Sequence, residues 1–257
     1  MVVPVPEAAL MSWSSAGITD RGRRRARNED AFLVRPGSRI FAVADGMGGH
    51  AAGNVASRVA IEVLDAAFER APSPRIRPAT LARRLLDVFN DANRAILEHA
   101  AAHRECAGMG TTLTALAPLA AGSHCVIAHI GDSRAYRLRD GELSQLTCDH
   151  TWVQQQVDAG MLTPADARHH PLASVLSRVL GTAAVGPADT LVVDAAPRDV
   201  FLLCSDGLTT MLGDEDIAML LARPLPLEQR ARDLIDAANA RGGIDNITVV
   251  LLSPGPG

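Results

Sequence analysis

Two rhythms limit what this chain can fold into. Short β-prone runs rich in Val, Ile, Leu and Ala follow one another with turn signals between them, while long stretches of helical periodicity come in consecutive pairs. Strands are predicted over 13–19, 31–34, 39–44, 111–116, 123–130, 134–138, 142–146, 191–194, 200–204 and 246–252. Pro36-Gly37 and Asp140-Gly141 mark hairpins. Helices are predicted over 51–70, 80–104, 152–159, 208–212, 214–221 and 227–241, with one more starting at Thr163 as cap and Pro164 as first residue. Val55, Val59, Val63 and Ala66/Ala67 mark the inner face of the first helix. Leu81, Leu85, Val88, Ala92 and Ile96 mark that of the second. A βαβ chain alternates its elements and this one does not, so an α+β fold is expected, with antiparallel sheets and helices on their outer faces. No repeat or low-complexity linker divides the chain. One domain over 12–253 is expected, after a loose tail at 1–11 and before a disordered Pro254–Gly257 end.

Composition narrows the class. A chain of 257 residues buries enough surface to need no staples, and 47% hydrophobic with 21% charged residues is ordinary for a soluble globular protein. Aromatics make up only 3%, which predicts an aliphatic core. A net charge of −4 argues against a general nucleic-acid binder. Cys106, Cys125, Cys148 and Cys204 have no metal-ligand spacing, and Cys125 and Cys204 sit in apolar runs, so a reducing, cytoplasmic setting is expected. Residues 1–11 lack the basic start and apolar middle of a secretory signal, and no apolar run reaches the ~18 residues of a membrane span.

Chemistry concentrates where apolar runs end in acids. Ile40–Ala44 stops at Asp45, and Gly46-Met47-Gly48-Gly49-His50 comes after it. A strand ending this way lifts its carboxylate off the sheet edge, and the glycines let the backbone come close to a ligand. Ser205-Asp206-Gly207 and Gly243-Ile244-Asp245-Asn246 repeat the pattern, and Asn28-Glu29-Asp30 precedes a strand. A single Asp-Gly is turn chemistry. Several carboxylates gathered at one place require cations, and hard oxygen ligands suit Mg²⁺ or Mn²⁺. Two such ions can activate a shared water against phosphorus. Arg21, Arg23, Arg24, Arg25 and Arg27 form a basic loop; its members are read as solvated, with one guanidinium free to meet the acids and grip a phosphate.

These residues resemble the metal-dependent protein phosphatases (the type 2C, or PPM, family) in their short bacterial form. The matching pieces, in family order, are Arg25-Ala26-Arg27-Asn28-Glu29-Asp30-Ala31-Phe32, Asp45-Gly46-Met47-Gly48-Gly49-His50 and Gly108-Met109-Gly110-Thr111-Thr112. They continue with Gly131-Asp132-Ser133-Arg134-Ala135-Tyr136, Leu146-Thr147-Cys148-Asp149-His150, Ser205-Asp206-Gly207-Leu208 and Asp245-Asn246-Ile247-Thr248. The resemblance implies a four-layer α-β-β-α sandwich, two antiparallel sheets face to face with helices outside, and a flap at about 147–185. It implies two Mn²⁺ or Mg²⁺ ions, with Asp45 bridging both, the Gly46 carbonyl on one, and Asp206 and Asp245 on the other. Glu29 and Asp30 would act through metal-bound waters, and Asp132 with Asp206 would hold a third ion. Arg25 would bind phosphate. Arg27 stands where relatives often carry Asn, and Met47 where animal members carry His.

The expected function is metal-dependent hydrolysis of phosphoserine and phosphothreonine in proteins by a metal-activated water. Arg25, Asp45 and Asp206 would be the catalytic residues. The partners would be phosphoproteins made by a Ser/Thr kinase, with the enzyme a monomer and neither nucleic acid nor membrane span involved. Two alternatives stand beside it. One is a non-catalytic pseudophosphatase that binds phosphoproteins. The other is a nucleotide binder using Gly46–Gly49, which lacks the Lys-Ser/Thr of a phosphate loop. His99/His103 are read as a solvated helix face, His169-His170 as flap loop, His50 as a helix start, and Asp149-His150 as flap packing or hydrogen bonding.

Overall fold

The computed structural model describes residues 12–47, 52–120, 124–168, 170–183 and 185–255. The expectations for the 1–11 tail and for Gly48, Gly49, His50 and His169 fall outside these residues.

Eleven strands and seven helices are described: β1 (Trp13–Asp20), β2 (Asp30–Arg35), β3 (Ile40–Met47), α1 (Gly53–Ala67), α2 (Pro78–Ala102), β4 (Gly110–Thr111), β5 (Leu113–Pro118), β6 (His124–Ile130), β7 (Arg134–Arg139), β8 (Glu142–Gln145), α3 (Trp152–Asp158), α4 (Pro164–Arg168), β9 (Asp189–Asp194), β10 (Val200–Cys204), α5 (Asp206–Thr209), α6 (Asp214–Leu221), α7 (Leu227–Ala240) and β11 (Ile247–Pro254). One sheet runs β1-β11-β10-β7-β8. The other runs β2-β3-β5-β6-β9, with β4 beside β3. Every pairing is antiparallel.

Strand alternation builds the layers. In β3, Ile40, Ala42 and Ala44 pack in the cluster that includes α1 and α2, whereas Phe41 and Val43 turn to the seam between the sheets. In β10, Val200, Leu202 and Cys204 join Leu220, Leu234 and Ile235 of α6 and α7, while Phe201 and Leu203 enter the seam. β11 repeats this, with Val249 and Leu251 outward and Val250 and Leu252 in the seam. Both faces of the central strands are therefore covered, which is why they read as unbroken apolar runs although the sheets are antiparallel. The α+β four-layer sandwich is the observed architecture.

Local signals account for most boundaries. Asp140 and Gly141 both adopt positive φ (52° and 85°), as a type I′ hairpin requires. Pro78 opens α2, and the Thr151 hydroxyl accepts the Gln154 amide at the start of α3.

Three expectations are corrected. In α1 the buried residues include Ala56, Ser57, Ala60, Ile61 and Leu64, whereas Val55, Val59 and Val63 are only partly buried at the margin. Small residues let this helix approach β3 closely, and that outweighs the greater hydrophobicity of valine. The core is not purely aliphatic: Tyr136, Phe41, Phe68, Phe89 and Phe201 are among its largest fully buried side chains. The C-terminal end is ordered through Gly255, since Pro254 pairs with Trp13 and the Gly255 amide donates to the Ser12 carbonyl at 2.7 Å.

Phe201 fills the inter-sheet seam beside Trp13, with ring centroids 5.9 Å apart. Phe201→Ala should lower unfolding stability by about 3–5 kcal/mol in urea titrations. A loss below about 1 kcal/mol would show that the seam collapses around the cavity.

Candidate metal centre

The acids meet at one end of the seam, because each sheet delivers its carboxylates from strand ends. Asp30 starts β2 and is paired in register with Asp45 near the end of β3. Asp206 opens α5 just after β10, and Asp245 precedes β11 by two residues. Asp132 lies in the β6–β7 turn.

Hydrogen bonds, most of them from neutral donors, hold Asp45 by its backbone and Asp30 and Asp245 by their carboxylates. The Asp45 amide donates to Thr112 Oγ1 at 2.9 Å, and the Asp45 carbonyl accepts from the Thr112 amide and the Thr111 hydroxyl at 2.9 and 2.8 Å. Thr112 Oγ1 also meets Ser133 Oγ at 2.7 Å, which links the Asp45 strand to the Asp132 turn. Asp30 Oδ2 accepts from Ser205 Oγ and Thr248 Oγ1 at 2.7 and 2.6 Å, so one carboxylate of the first sheet is gripped by two hydroxyls of the second. Asn246 is a buried hub. Its Oδ1 accepts the Glu29 amide at 2.8 Å, and its Nδ2 donates to the carbonyls of Arg21 and Arg27 at 2.9 and 2.8 Å. Asp245 Oδ1 accepts the Asn246 amide at 2.8 Å, and Oδ2 accepts Arg25 Nη2 at 2.6 Å.

Gly46 has no room for a side chain. A Cβ there would overlap the Gly53 carbonyl and stand 2.6 Å from the Glu29 carbonyl oxygen, while the Gly46 amide donates to that oxygen at 3.2 Å. Gly53 is restricted likewise, for its Cβ would stand 2.8 Å from Glu29 Oε2. The glycines thus bring the Gly46 carbonyl and the Glu29 carboxylate together.

The cluster repels itself. Burial pushes Asp45 well above the usual carboxylate range, with Asp30, Asp206 and Asp132 adding to the shift. Asp132 is likewise raised well above that range by burial, with Asp206 and Asp149 reinforcing it. Asp206 is raised by burial and by Asp245, against its interaction with the Asp45 carboxyl and the charges of Arg25 and Arg134. Asp30 is pushed up to about 7 by burial and by Asp206 and Asp245, although its two hydroxyl partners pull it down. Asp30 Oδ1 and Asp206 Oδ1 are buried without a hydrogen-bond partner. Five aspartates within electrostatic reach, two orphaned buried oxygens and a glycine carbonyl form an all-oxygen donor set that suits hard divalent cations.

Among the described residues, no three His, Cys, Asp or Glu side chains form a closed metal-ligand cluster. Asp245 accepts from Arg25, and Asp45, Asp30, Asp132 and Asp206 are within electrostatic reach across the site as a looser set. Such a loose set suits ions that keep several waters and take one or two carboxylates each. Arg25 is the arginine of the basic loop that reaches the acids; at Arg27 the carbonyl, rather than the guanidinium, is engaged with Asn246. His99 and His103 stack on one another with centroids 4.2 Å apart at the end of α2. Asp149 forms a two-pronged ion pair with Arg134, at 2.9 and 2.6 Å. A cleft of about 640 Å³ opens beside Asp132 and Asp206, walled by α3, α4 and residues 209–214.

A family model described as Protein phosphatase 2C matches residues 19–245. This chain belongs to the protein phosphatase 2C family. The serine/threonine protein phosphatase PstP of Mycobacterium tuberculosis is 44% identical over 236 residues, which are 92% of this chain and 44% of that protein. The chain thus spans under half the length of that relative. The serine/threonine phosphatase stp of Listeria monocytogenes is 39% identical over 237 residues, 91% of this chain and 93% of that protein. The catalytic domain of PstP, solved in complex with 2 manganese ions, superposes with a TM-score of 0.85 at 38% identity, covering 96% of this chain and all (100%) of that one. The 2C match takes in Glu29, Asp30, Asp45, Asp132 and Asp206 and ends on Asp245.

The raised acids make a pH prediction for metal-free protein. Unfolded aspartates titrate near pH ~4, whereas Asp30 does so at about 7, so between these values the folded chain holds an extra proton. Stability from that proton is complete at the acid end and is lost as pH rises through the window. In EDTA, the melting temperature of Asp30→Asn relative to the unchanged protein should therefore climb from about pH 4 to 7. Parallel melting curves across this range would exclude the effect.

Proposed function

We propose that this chain is a metal-dependent protein phosphatase that hydrolyses phosphoserine and phosphothreonine. The single observation carrying this reading is the convergence of Asp45, Asp206, Asp132, Asp30 and Asp245 at one end of the seam with Arg25 beside them. In it, Asp45, the Gly46 carbonyl, Asp206 and Asp245 hold two Mn²⁺ or Mg²⁺ ions. Glu29 and Asp30 support them through water, and Asp132 with Asp206 holds a third. Bound there, the ions lower the pKa of water and offset phosphoryl charge.

The chain's own residues do the rest. Arg25 is half exposed and can turn its guanidinium from Asp245 to the phosphoryl oxygens, which it fits bidentately. The Ser205 and Thr248 hydroxyls hold Asp30, and Thr112 holds Asp45, so the acids keep their positions when charge changes beside them. The neighbouring cleft, walled in part by the 147–185 segment, accommodates the polypeptide that carries the phosphate. We assign 12–253 to one phosphatase domain with that segment as flap, acting as a monomer against a Ser/Thr kinase in the cytoplasm. The four free cysteines fit a reducing compartment. Among the described residues, no helix is long and apolar enough to cross a membrane.

Purified protein with Mn²⁺ should hydrolyse p-nitrophenyl phosphate and phosphothreonine peptides, and EDTA should abolish turnover. Asp206→Asn should lower kcat roughly 100-fold or more. Absence of turnover on both substrates with Mn²⁺ would reject the proposal, and tight phosphopeptide binding without phosphate release would put a pseudophosphatase in its place.

A further inference from the structure

One buried histidine outside the acid ring is built into its framing. His150 is only 2% exposed. Its backbone amide donates to the Gly131 carbonyl at 2.7 Å, and its ring Nδ1 stands 3.1 Å from the Gly131 amide. A backbone N–H can only donate, so Nδ1 is the acceptor and the ring proton resides on Nε2. Nε2 faces Asp189 Oδ2 at 3.0 Å, and Asp189 Oδ1 accepts Arg178 Nη1 at 2.9 Å. Burial holds the ring below the ordinary histidine range, which accords with a neutral imidazole. One carboxylate thus sets the tautomer, and the tautomer serves one amide.

That amide matters because Asp132 is the very next residue. Gly131 has φ +107°, and a Cβ there would overlap Thr112, so no side chain of its own can brace the turn. Beyond Asp132, the Ser133 carbonyl accepts Thr114 Oγ1 at 2.8 Å, and Thr114 Oγ1 also meets His129 Nδ1 at 2.9 Å. The His129 and His150 rings lie with centroids 4.7 Å apart. The turn is therefore held from both sides by buried groups, and His150 is the one that also belongs to the 147–185 segment. The Ser177 amide donates to the His150 carbonyl at 2.8 Å.

We propose that His150 is a positioning residue for the reaction, acting through the Nδ1···H–N bond to Gly131 that fixes the turn presenting Asp132 to Asp206. Its catalytic consequence rests on the phosphatase reading above; the hydrogen bond itself does not.

Two variants separate positioning from packing. In His150→Asn the amide oxygen falls near the place of Nδ1 and keeps an acceptor for Gly131. In His150→Gln the amide reaches toward Asp189 and leaves Gly131 without one. Three quantities are read: hydrogen exchange of the peptide containing Gly131, kcat and KM on p-nitrophenyl phosphate with Mn²⁺, and melting temperature. For His150→Gln, exchange should quicken about tenfold and kcat should fall about 10–100-fold, with KM within about twofold. His150→Asn should restore both exchange and kcat toward those of the unchanged protein. Equal losses in the two variants that follow melting temperature would make His150 a packing residue and overturn the proposal. Unaltered exchange and kcat in His150→Gln would overturn it too. If the unchanged protein has no turnover, the phosphatase reading falls, and the exchange comparison alone then decides the role of the bond: faster exchange in Gln than in Asn supports it, and equal exchange overturns it.

Discussion

Repulsion among buried carboxylates is the constraint around which this molecule is arranged. Burial raises the proton affinity of Asp45, Asp206, Asp132 and Asp30, and neighbouring charge adds to it: Asp30, Asp206 and Asp132 at Asp45, Asp206 at Asp132 and Asp30, and Asp245 at Asp206. A fold that keeps such a set together must supply stabilisation elsewhere. Here it comes from two sheets whose central strands are buried on both faces, with three apolar clusters between and outside them. The acids sit at strand ends, where the chain leaves the sheet and side chains are freed from the packing of the layers.

Hydroxyls and amides do the holding. Thr111, Thr112, Ser133, Ser205, Thr248 and Asn246 carry no charge, so they fix the acids without neutralising them. Arg25 is the contrasting case. Its ion pair with Asp245 is partly exposed and so modest in strength, which leaves the guanidinium able to exchange one anion for another.

Much of the fold was legible in the sequence. Apolar runs closed by Gly, Asp or Pro gave the strands within a few residues, since turn chemistry is local. The face of α1 was not legible. Hydropathy favours Val55, Val59 and Val63, but the distance of closest approach to β3 selects Ala56 and Ala60, and only the tertiary packing reveals that distance. Low aromatic content likewise concealed that Phe41, Phe201 and Tyr136 occupy central positions. At the site, the acids declared themselves through repeated strand-Asp-Gly endings. The supporting groups did not. The contacts of Asn246 with Glu29, Arg21 and Arg27 join residues more than two hundred positions apart, and an Asn before a strand has no local mark of that task.

Asn246 has a further consequence. It holds the 21–27 loop by the carbonyls of Arg21 and Arg27, and a carbonyl is common to every amino acid. These two anchors are thus independent of the side chains at 21 and 27, although Gly22 between them, at φ +76°, has no room for a Cβ beside the Asp245 carbonyl. Descendants of this chain can exchange Arg23, Arg24 and Arg27 for other residues, and so diverge in the company they keep, while Arg25 and the path of the backbone past the acids stay the same.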